Sequence, residues 1–280
     1  MTYDILVIGG GGAKGIASLG ALHHAEKDIE GCKVYSGCSI GSIITALLAI
    51  GYKPLEIFSA INNYDFAPDL NFAEFFTKFG MIDISSVTNF IAELFEAKAS
   101  REITFRDLKD FYNKELFIVA TKYSTKEPEY FSVHSHPDMK ILEAVNMSCN
   151  IPLIFSQYTY SGDGEVYLDG GLCDNLPIHI VRKFYPESEK KILCIMMNFT
   201  SIETESASIT SKFLNYVTNV MAIPVITNSK RSIKLLGEKD KLVQISVDVP
   251  TLSYNISSET KFKMFKTGYA AYSSSELISQ

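Results

Sequence analysis

Three short stretches of this 280-residue chain hold residue types that could do chemistry together. The first is Gly37-Cys38-Ser39-Ile40-Gly41, a G-x-S-x-G pattern. A short strand, Lys33 to Ser36, leads into it, and a strongly apolar helix, Ile43 to Ile50, follows. That order is the strand-turn-helix of a nucleophile elbow, which presents a serine for attack on an acyl carbon. The glycines on either side remove side chains that would collide with the sharp turn. The helix N-terminus stabilises negative charge at the serine. Taken alone, the stretch also fits a helix start with an ordinary serine.

The second stretch is Gly10-Gly11-Gly12-Ala13-Lys14-Gly15, after the apolar strand Ile5-Leu6-Val7-Ile8. Such a loop aims several backbone N–H groups at one point above a helix N-terminus. That arrangement cradles a phosphate or serves as an oxyanion hole. Its G-x-G-x-x-G spacing matches the dinucleotide fingerprint, which expects an acidic residue about 20 positions on, at the end of the second strand. Here that strand ends in Gly37-Cys38-Ser39, and no Asp or Glu occurs between Gly31 and Leu55. A P-loop is excluded because Lys14 precedes Gly15 and no Gly-Lys-Ser/Thr follows.

The third is Asp169-Gly170-Gly171, directly after the strand Val166-Tyr167-Leu168. A Ser-His-Asp triad would need a late histidine. The histidines are His23, His24, His134, His136 and His179, with none beyond. The first two fall on the first helix and the next two in a polar turn, where solvated or capping roles fit. His179 sits at a helix start. A carboxylate is left as the base for Ser39. Asp169, flanked by glycines that permit close approach, is the best placed; Asp174 and Asp163 are its rivals.

These residues need a frame. Strand, glycine loop, helix (Ile16 to about Ile29), strand, elbow and helix form a βαβα beginning, which predicts a mostly parallel sheet covered by helices. Gly51 fits the end of the elbow helix and Pro54 the start of the next. Residues 55–110 read as helical and rich in phenylalanine: Phe58, Phe66, Phe72, Phe75, Phe76, Phe79, Phe90 and Phe95. This insertion suits a channel or lid, or plain helix-packing core. Further strands are expected at Glu115 to Thr121 and Tyr130 to Val133, joined by a turn at Thr125-Lys126-Glu127-Pro128. Others are expected at Tyr158 to Tyr160, Val166 to Leu168, Lys191 to Met197 and Leu242 to Val247. Helices are expected at Ile141 to Ser148, across 201–235, and from Ser258 to Ile278. With no repeat or linker, residues 1–280 read as one domain.

Composition narrows the classes. Hydrophobic residues make up 46 % of the chain, enough for a sizeable core. The net charge of −6 argues against nucleic acid as a partner. Five cysteines without C-x-x-C spacing argue against a disulfide framework or zinc site and for a reducing compartment. The N-terminus has no signal-peptide core, and the longest apolar runs are too short to span a bilayer. The expectation is a cytoplasmic protein with peripheral membrane contact. Lys230, Arg231, Lys234, Lys261, Lys263 and Lys266 are candidates for anionic headgroups, or simply a solvated face.

The three motifs, in this order, resemble those of the patatin-like phospholipase family. Ala144 to Pro152 is similar to that family's small-residue segment ending in Ile-Pro. Asp169-Gly170-Gly171-Leu172-Cys173-Asp174-Asn175-Leu176-Pro177 is similar to its D-G-G-x-x-x-N-x-P stretch, and the helix with Gly268-Tyr269-Ala270-Ala271 to its C-terminal helix. Cys38 and Ile40 depart from the small residues common in that elbow, and Ile40 narrows the site. The resemblance implies a three-layer α/β/α sandwich with a nucleophile elbow, and core motifs within 1–180. It implies a lipid acyl hydrolase of phospholipase A or lipase type, with a Ser39-Asp169 dyad and an acyl-enzyme. The N–H groups of Gly11 and Gly12 would bind the oxyanion, and Asp169 would be tuned by partial burial. No metal or cofactor is implied; the partner is a phospholipid or another acyl-ester lipid. A general carboxylesterase or acyltransferase on the same dyad, and a non-catalytic lipid-binding protein, are the competing readings.

Overall fold

The structure, a computed structural model, describes residues 2–64, 75–186, 190–199, 209–250 and 256–278. The chain opens with β1 (Ile5–Ile8), a 3-10 turn (Gly12–Gly15), α1 (Ile16–His24), α2 (Glu26–Ile29), β2 (Val34–Cys38) and α3 (Ile40–Ala49). Helices α4 (Pro54–Asn63), α5 (Phe75–Lys78), α6 (Ser85–Lys98) and α7 (Phe105–Tyr112) lead to β3 (Glu115–Lys122) and β4 (Glu127–Phe131). Then come α8 (Ile141–Ser148), β5 (Tyr158–Thr159), β6 (Val166–Asp169), α9 (Gly171–Asp174), α10 (Ile178–Phe184) and β7 (Ile192–Met197). The last are α11 (Ile209–Ile233), β8 (Lys241–Ile245) and α12 (Ser258–Ser274).

Strands β3, β2, β1, β7 and β8 lie side by side and parallel, while β4 and β6 join β3 antiparallel. Alternate residues of the buried strands face opposite layers. Leu6, Ile8, Tyr35, Ile118, Leu193 and Ile195 pack with α1, α3 and α12. Ile5, Val7, Val34, Phe117, Ile192 and Cys194 pack with α10. The result is the expected α/β/α layering.

The edges of β3 position the site. β4 takes one edge from Ile118 to Lys122. β2 pairs with the other edge only as far as Val119, opposite Cys38. From Ala120, opposite Asp169, β6 takes over that second edge. Asp169 therefore arrives one ladder step beyond the residue preceding Ser39. Two chain segments 130 residues apart meet because β2 stops where it turns into the elbow.

Several elements differ from expectation. α3 starts at Ile40, directly after Ser39, rather than at Ile43. The first long helix breaks at Ala25, between α1 and α2. β4 begins at Glu127, so Pro128 lies in the strand, opposite Thr121, rather than in the turn. An edge strand tolerates a residue with no N–H to donate. The turn is tightened instead at Lys126, with φ 64°. The C-terminal helix stops at Ser274, and Leu277 forms a bridge to Lys241. Gly51 takes φ 99° after α3, and Pro54 opens α4, both as expected. Residues 201–208 of the expected late helix, and Phe66 and Phe72, lie outside the described residues.

The layer that supports β1 from below depends on one close helix crossing. α1 and α12 meet at Gly20 and Gly268, where a Cβ on either would overlap the backbone carbonyl of Phe265 or Ala17. Neither helix backbone can shift without moving the core beneath it. Gly268→Ala should therefore cost about 2–3 kcal/mol of stability, as overpacking does. Urea unfolding should show a lower midpoint with an unchanged slope; a midpoint equal to wild type would mean the crossing is looser than described.

Candidate active site

Ser39 sits between β2 and α3 with φ 52° and ψ −129°, a conformation that L-residues adopt only when the surroundings enforce it. The enforcement is local and tertiary. The Ser39 carbonyl accepts from the Ser42 N–H (2.8 Å) and the Ser42 hydroxyl (2.6 Å). Its N–H donates to the Ser148 hydroxyl at 2.9 Å. Gly37 and Gly41 are required by space: a Cβ at Gly37 would overlap the Gly41 backbone, and one at Gly41 the Ile8 carbonyl.

Asp169 ends β6 and is buried. Its N–H donates to the Asn150 carbonyl at 2.8 Å, and its Oδ1 accepts from the Gly171 N–H at 2.8 Å. Among the described residues, no hydrogen-bond partner reaches its buried Oδ2. Burial pushes the carboxyl up to about 6; the nearby Ser39 hydroxyl and the Gly171 N–H oppose the rise. Resting sites commonly hold such contacts long and tighten them on substrate. Asp169 and Ser39 line the same cavity. The rivals do not line it. Asp174 accepts from Tyr130 and Ser232 hydroxyls, and Asp163, in the β5–β6 turn, from the Tyr167 hydroxyl.

The glycine loop faces the same point. Gly10, Gly11 and Gly12 line the cavity with Ser39 and Asp169. The Gly10 N–H is already committed to Asn175, whose Oδ1 accepts it at 3.1 Å. Among the described residues, no protein acceptor takes the Gly11 or Gly12 N–H. Gly12 has φ 54°, which favours glycine there. Lys14 turns away: it is buried, lines neither cavity, and desolvation lowers its pKa against the field of Asp248. Ala13 faces a second cavity, and Gly15 gives Ile40 room, since a Cβ there would strike it. Cys38 is wholly buried on β2, its thiol pKa raised by desolvation and by Asp169. Gly170 packs against the Val119 carbonyl.

Ser39 stands where two cavities meet. One, of about 60 Å³, lies under the inner face of α11, walled by Leu172, Met221 and Val225. The other, of about 210 Å³, is apolar and runs between α3, α4 and α6 past Ile40, Ile43, Val87, Phe90 and Ile91. For scale, an apolar cavity of about 150 Å³ admits a benzene ring. Within the phenylalanine-rich stretch, Phe90 lines this cavity, while Phe58 and Phe95 are buried core. Phe75 meets Phe213 of α11 edge-on, and Phe79 is exposed. Cavity wall and core are thus both made from that segment.

None of the five histidines lines either cavity. His134 is not simply solvated: it bonds Glu115 at 2.9 Å and stacks on Phe117 and Phe184. Among the described residues no cluster of three metal-ligating side chains occurs. Lys261 does not face solvent for a headgroup; it is buried and caps α4 by donating to the Ile61 and Tyr64 carbonyls. Lys230, Arg231, Lys234, Lys263 and Lys266 are exposed. Sequence reasoning missed Ser148, Asn150 and Asn175 as site-building residues. Ser148 holds the elbow with its hydroxyl and the Gly170 N–H with its carbonyl (3.3 Å). Their only signal was that two lie in the segment ending in Ile-Pro and one in the stretch after Asp169.

Comparison with known proteins places the chain among relatives of one family. The model of the patatin-like phospholipase family matches residues 6–182. A probable lipid hydrolase of Invertebrate iridescent virus 6 is 32 % identical over 195 residues, 68 % of this chain and 67 % of that protein. An uncharacterized protein of Acanthamoeba polyphaga mimivirus is 27 % identical over 276 residues, 94 % of this chain and 90 % of its own length. Among solved structures, VipD from Legionella pneumophila shares the fold at 17 % identity and a TM-score of 0.58, covering 98 % of this chain and 66 % of VipD.

Two outcomes follow from the burial of Asp169 and from the Ser148 bridge. A carboxyl raised from 3.8 to about 6 binds its proton more tightly folded than unfolded. Stability is therefore lost as pH rises from about 4 to 6, by about 3 kcal/mol, and stays lost above. Asp169→Asn should raise stability by about 1–2 kcal/mol at pH 8, part of the gain being offset by its own buried amide, and by nothing at pH 4. Urea unfolding at both pH values checks this; equal effects at both would mean the carboxyl is not strained. Ser148→Ala leaves the Ser39 N–H unpaired and should cost about 1–3 kcal/mol. Ser148→Thr, which keeps the acceptor, should recover part of that loss.

Proposed function

The chain belongs to the patatin-like phospholipase family, and on that premise we propose that it cleaves fatty-acyl esters of lipids through Ser39 and Asp169. The observation that carries the reading is the buried, unpartnered Oδ2 of Asp169 in one cavity with Ser39 and the free N–H groups of Gly11 and Gly12. Ser39 Oγ attacks the acyl carbonyl carbon while its proton passes to Asp169. The negative charge that develops on the carbonyl oxygen is met by the Gly11 and Gly12 N–H groups. Collapse breaks the ester bond, and the leaving alcohol takes the proton from Asp169. Water then attacks the acyl-Ser39 ester, returns a proton to Asp169, and frees the fatty acid as Ser39 is re-protonated. The 210 Å³ apolar cavity takes the first part of the acyl chain, and the smaller cavity the alcohol side.

Asp169 must be ionised to accept the proton. A pKa near 6 leaves it both ionised and a usable base at neutral pH, which an exposed aspartate is not. On this reading residues 1–280 act as one domain, with 55–110 as the insertion that walls the acyl cavity. The five free cysteines support a reducing, cytoplasmic setting. Among the described residues no helix is long and apolar enough to cross a membrane.

Labelling with a fluorophosphonate probe tests the dyad. Wild type should label, while Ser39→Ala and Asp169→Asn should not, with both variants folded. Turnover of a soluble short-chain ester should fall by about 10³-fold or more in each variant. It should rise with pH in wild type up to about 6 and level off above. Retained turnover in Asp169→Asn with loss in Asp174→Asn would reassign the base. Folded wild type that turns over no ester, with or without an alcohol acceptor, would leave a lipid-binding role only.

A further inference from the structure

α11 carries a wide apolar arc, and among the described residues only part of it is packed. Its inner face carries Val217, Met221 and Val225, packed over Met81, Ile154 and Phe155 and over the cavity at Ser39. Its outer face carries Tyr216, Val220 and Ile223, at 69 %, 45 % and 64 % exposure, with Phe213, which also meets Phe75 edge-on, at its margin at 39 %. Spacings of three, four and three residues place these four on one stripe. Two more exposed apolar side chains, Phe79 and Leu153, stand in loops beside this packing, where Met81 and Ile82 donate to the Ile154 carbonyl. Both loops hold a non-glycine residue at positive φ, 53° and 65°.

The charge pattern says what would cover the stripe. In a chain of net charge −6, the 25 residues of α11 contain no Asp or Glu. Its cations sit at the two ends, Lys212 before the stripe and Lys230 and Arg231 after it, all exposed. An apolar stripe bracketed by lysine and arginine is the pattern of a helix that lies in a lipid interface, with rings at acyl depth and cations at headgroup depth. We propose that the outer face of α11 is a membrane-docking surface that seats on a phospholipid bilayer carrying some anionic lipid. The inference rests on the reading of the site as a lipid-ester hydrolase, and it supplies that reading with a route. The neighbouring side of the same helix roofs the cavity at Ser39, so a bilayer docked on α11 rests on the helix that walls the ester-cleaving groups. It also relocates the headgroup contact: Lys212 joins Lys230 and Arg231, while Lys261 is engaged elsewhere.

Co-sedimentation with phosphatidylcholine vesicles containing one-fifth phosphatidylserine tests the surface, with Ser39→Ala as the background so that hydrolysis cannot alter the vesicles. Tyr216→Asp with Ile223→Asp should reduce the vesicle-bound fraction by about tenfold or more. Lys212→Glu with Lys230→Glu, which touches no packing, should weaken binding by about tenfold on these vesicles and far less on pure phosphatidylcholine. On the Ser39 background, both pairs should keep wild-type turnover of a soluble short-chain ester and lose turnover of the vesicle lipid. Unchanged sedimentation of both pairs would overturn the docking surface while leaving the hydrolase reading intact. Absence of soluble-ester turnover in wild type would overturn the hydrolase reading instead. A dimer in light scattering that the Tyr216→Asp, Ile223→Asp pair dissolves, without vesicle binding by the background protein, would assign the stripe to a second copy of the chain.

Discussion

A buried carboxylate oxygen with no partner is among the more costly groups a protein can hold, and here it stands beside a serine in a strained turn. Neither would persist in a loose framework. What holds them is the junction at the C-terminus of α8. Ser148 ties the elbow through its hydroxyl and the turn after Asp169, at the Gly170 N–H, through its carbonyl, and Asn150 ties Asp169 itself. A single short segment thus sets the spacing of the two groups from both sides. The sheet makes the same spacing in another way, because β2 and β6 share one edge of β3 in succession. Strain at Ser39 and desolvation at Asp169 are offset by a core of fully buried strands on which both segments end.

Much of this was legible in the sequence, for identifiable reasons. β1, β7 and the centre of β3 are continuous apolar runs because they are buried on both faces, and such runs announce themselves. The elbow and the glycine loop were legible because close approach leaves glycine little competition: Gly37, Gly41 and Gly15 each face an atom that a Cβ would strike. Ser39 and Asp169 could be named, and the fold family with them. The sequence did not say how Asp169 reaches Ser39, since edge-sharing on β3 depends on register and not on composition. Nor did it say that Lys14 of the glycine loop points away from the site, or that Pro128 is accommodated in a strand, because an edge position exists only once the sheet is assembled.

Ser148, Asn150 and Asn175 illustrate a different blind spot. Each acts by bonding backbone groups far along the chain, from Ser148 to Ser39 and from Asn175 to Gly10. Small polar residues near a Pro are common turn formers, so nothing local separates these from ordinary loop residues. The phenylalanines between 55 and 95 fail in the opposite direction. They are conspicuous, yet Phe58 and Phe95 fill the core, Phe90 walls a cavity and Phe79 meets solvent. Hydrophobicity records the tendency to leave water and carries no information about which apolar neighbour a ring will find.

The division of space around Ser39 bears on how lipid esters would be handled on the proposed reading. The larger cavity is apolar and built from α3, α4 and α6, so hydrocarbon entering it gains burial without leaving a polar group unpaired. The smaller cavity holds the polar groups that on this reading would meet developing charge, and its roof is α11. Charge stabilisation is strongest where water is excluded, which favours a closed roof. Substrate entry and release of the alcohol require that roof to yield or to stand at a lipid surface. A helix with one apolar face over the reaction and another exposed meets both demands. On the docking proposal, Tyr216 and Ile223, largely exposed in water, would be buried at a bilayer, and that burial would offset the loss of hydration there. The cost of keeping that stripe exposed is therefore tied to the place where the ester is found.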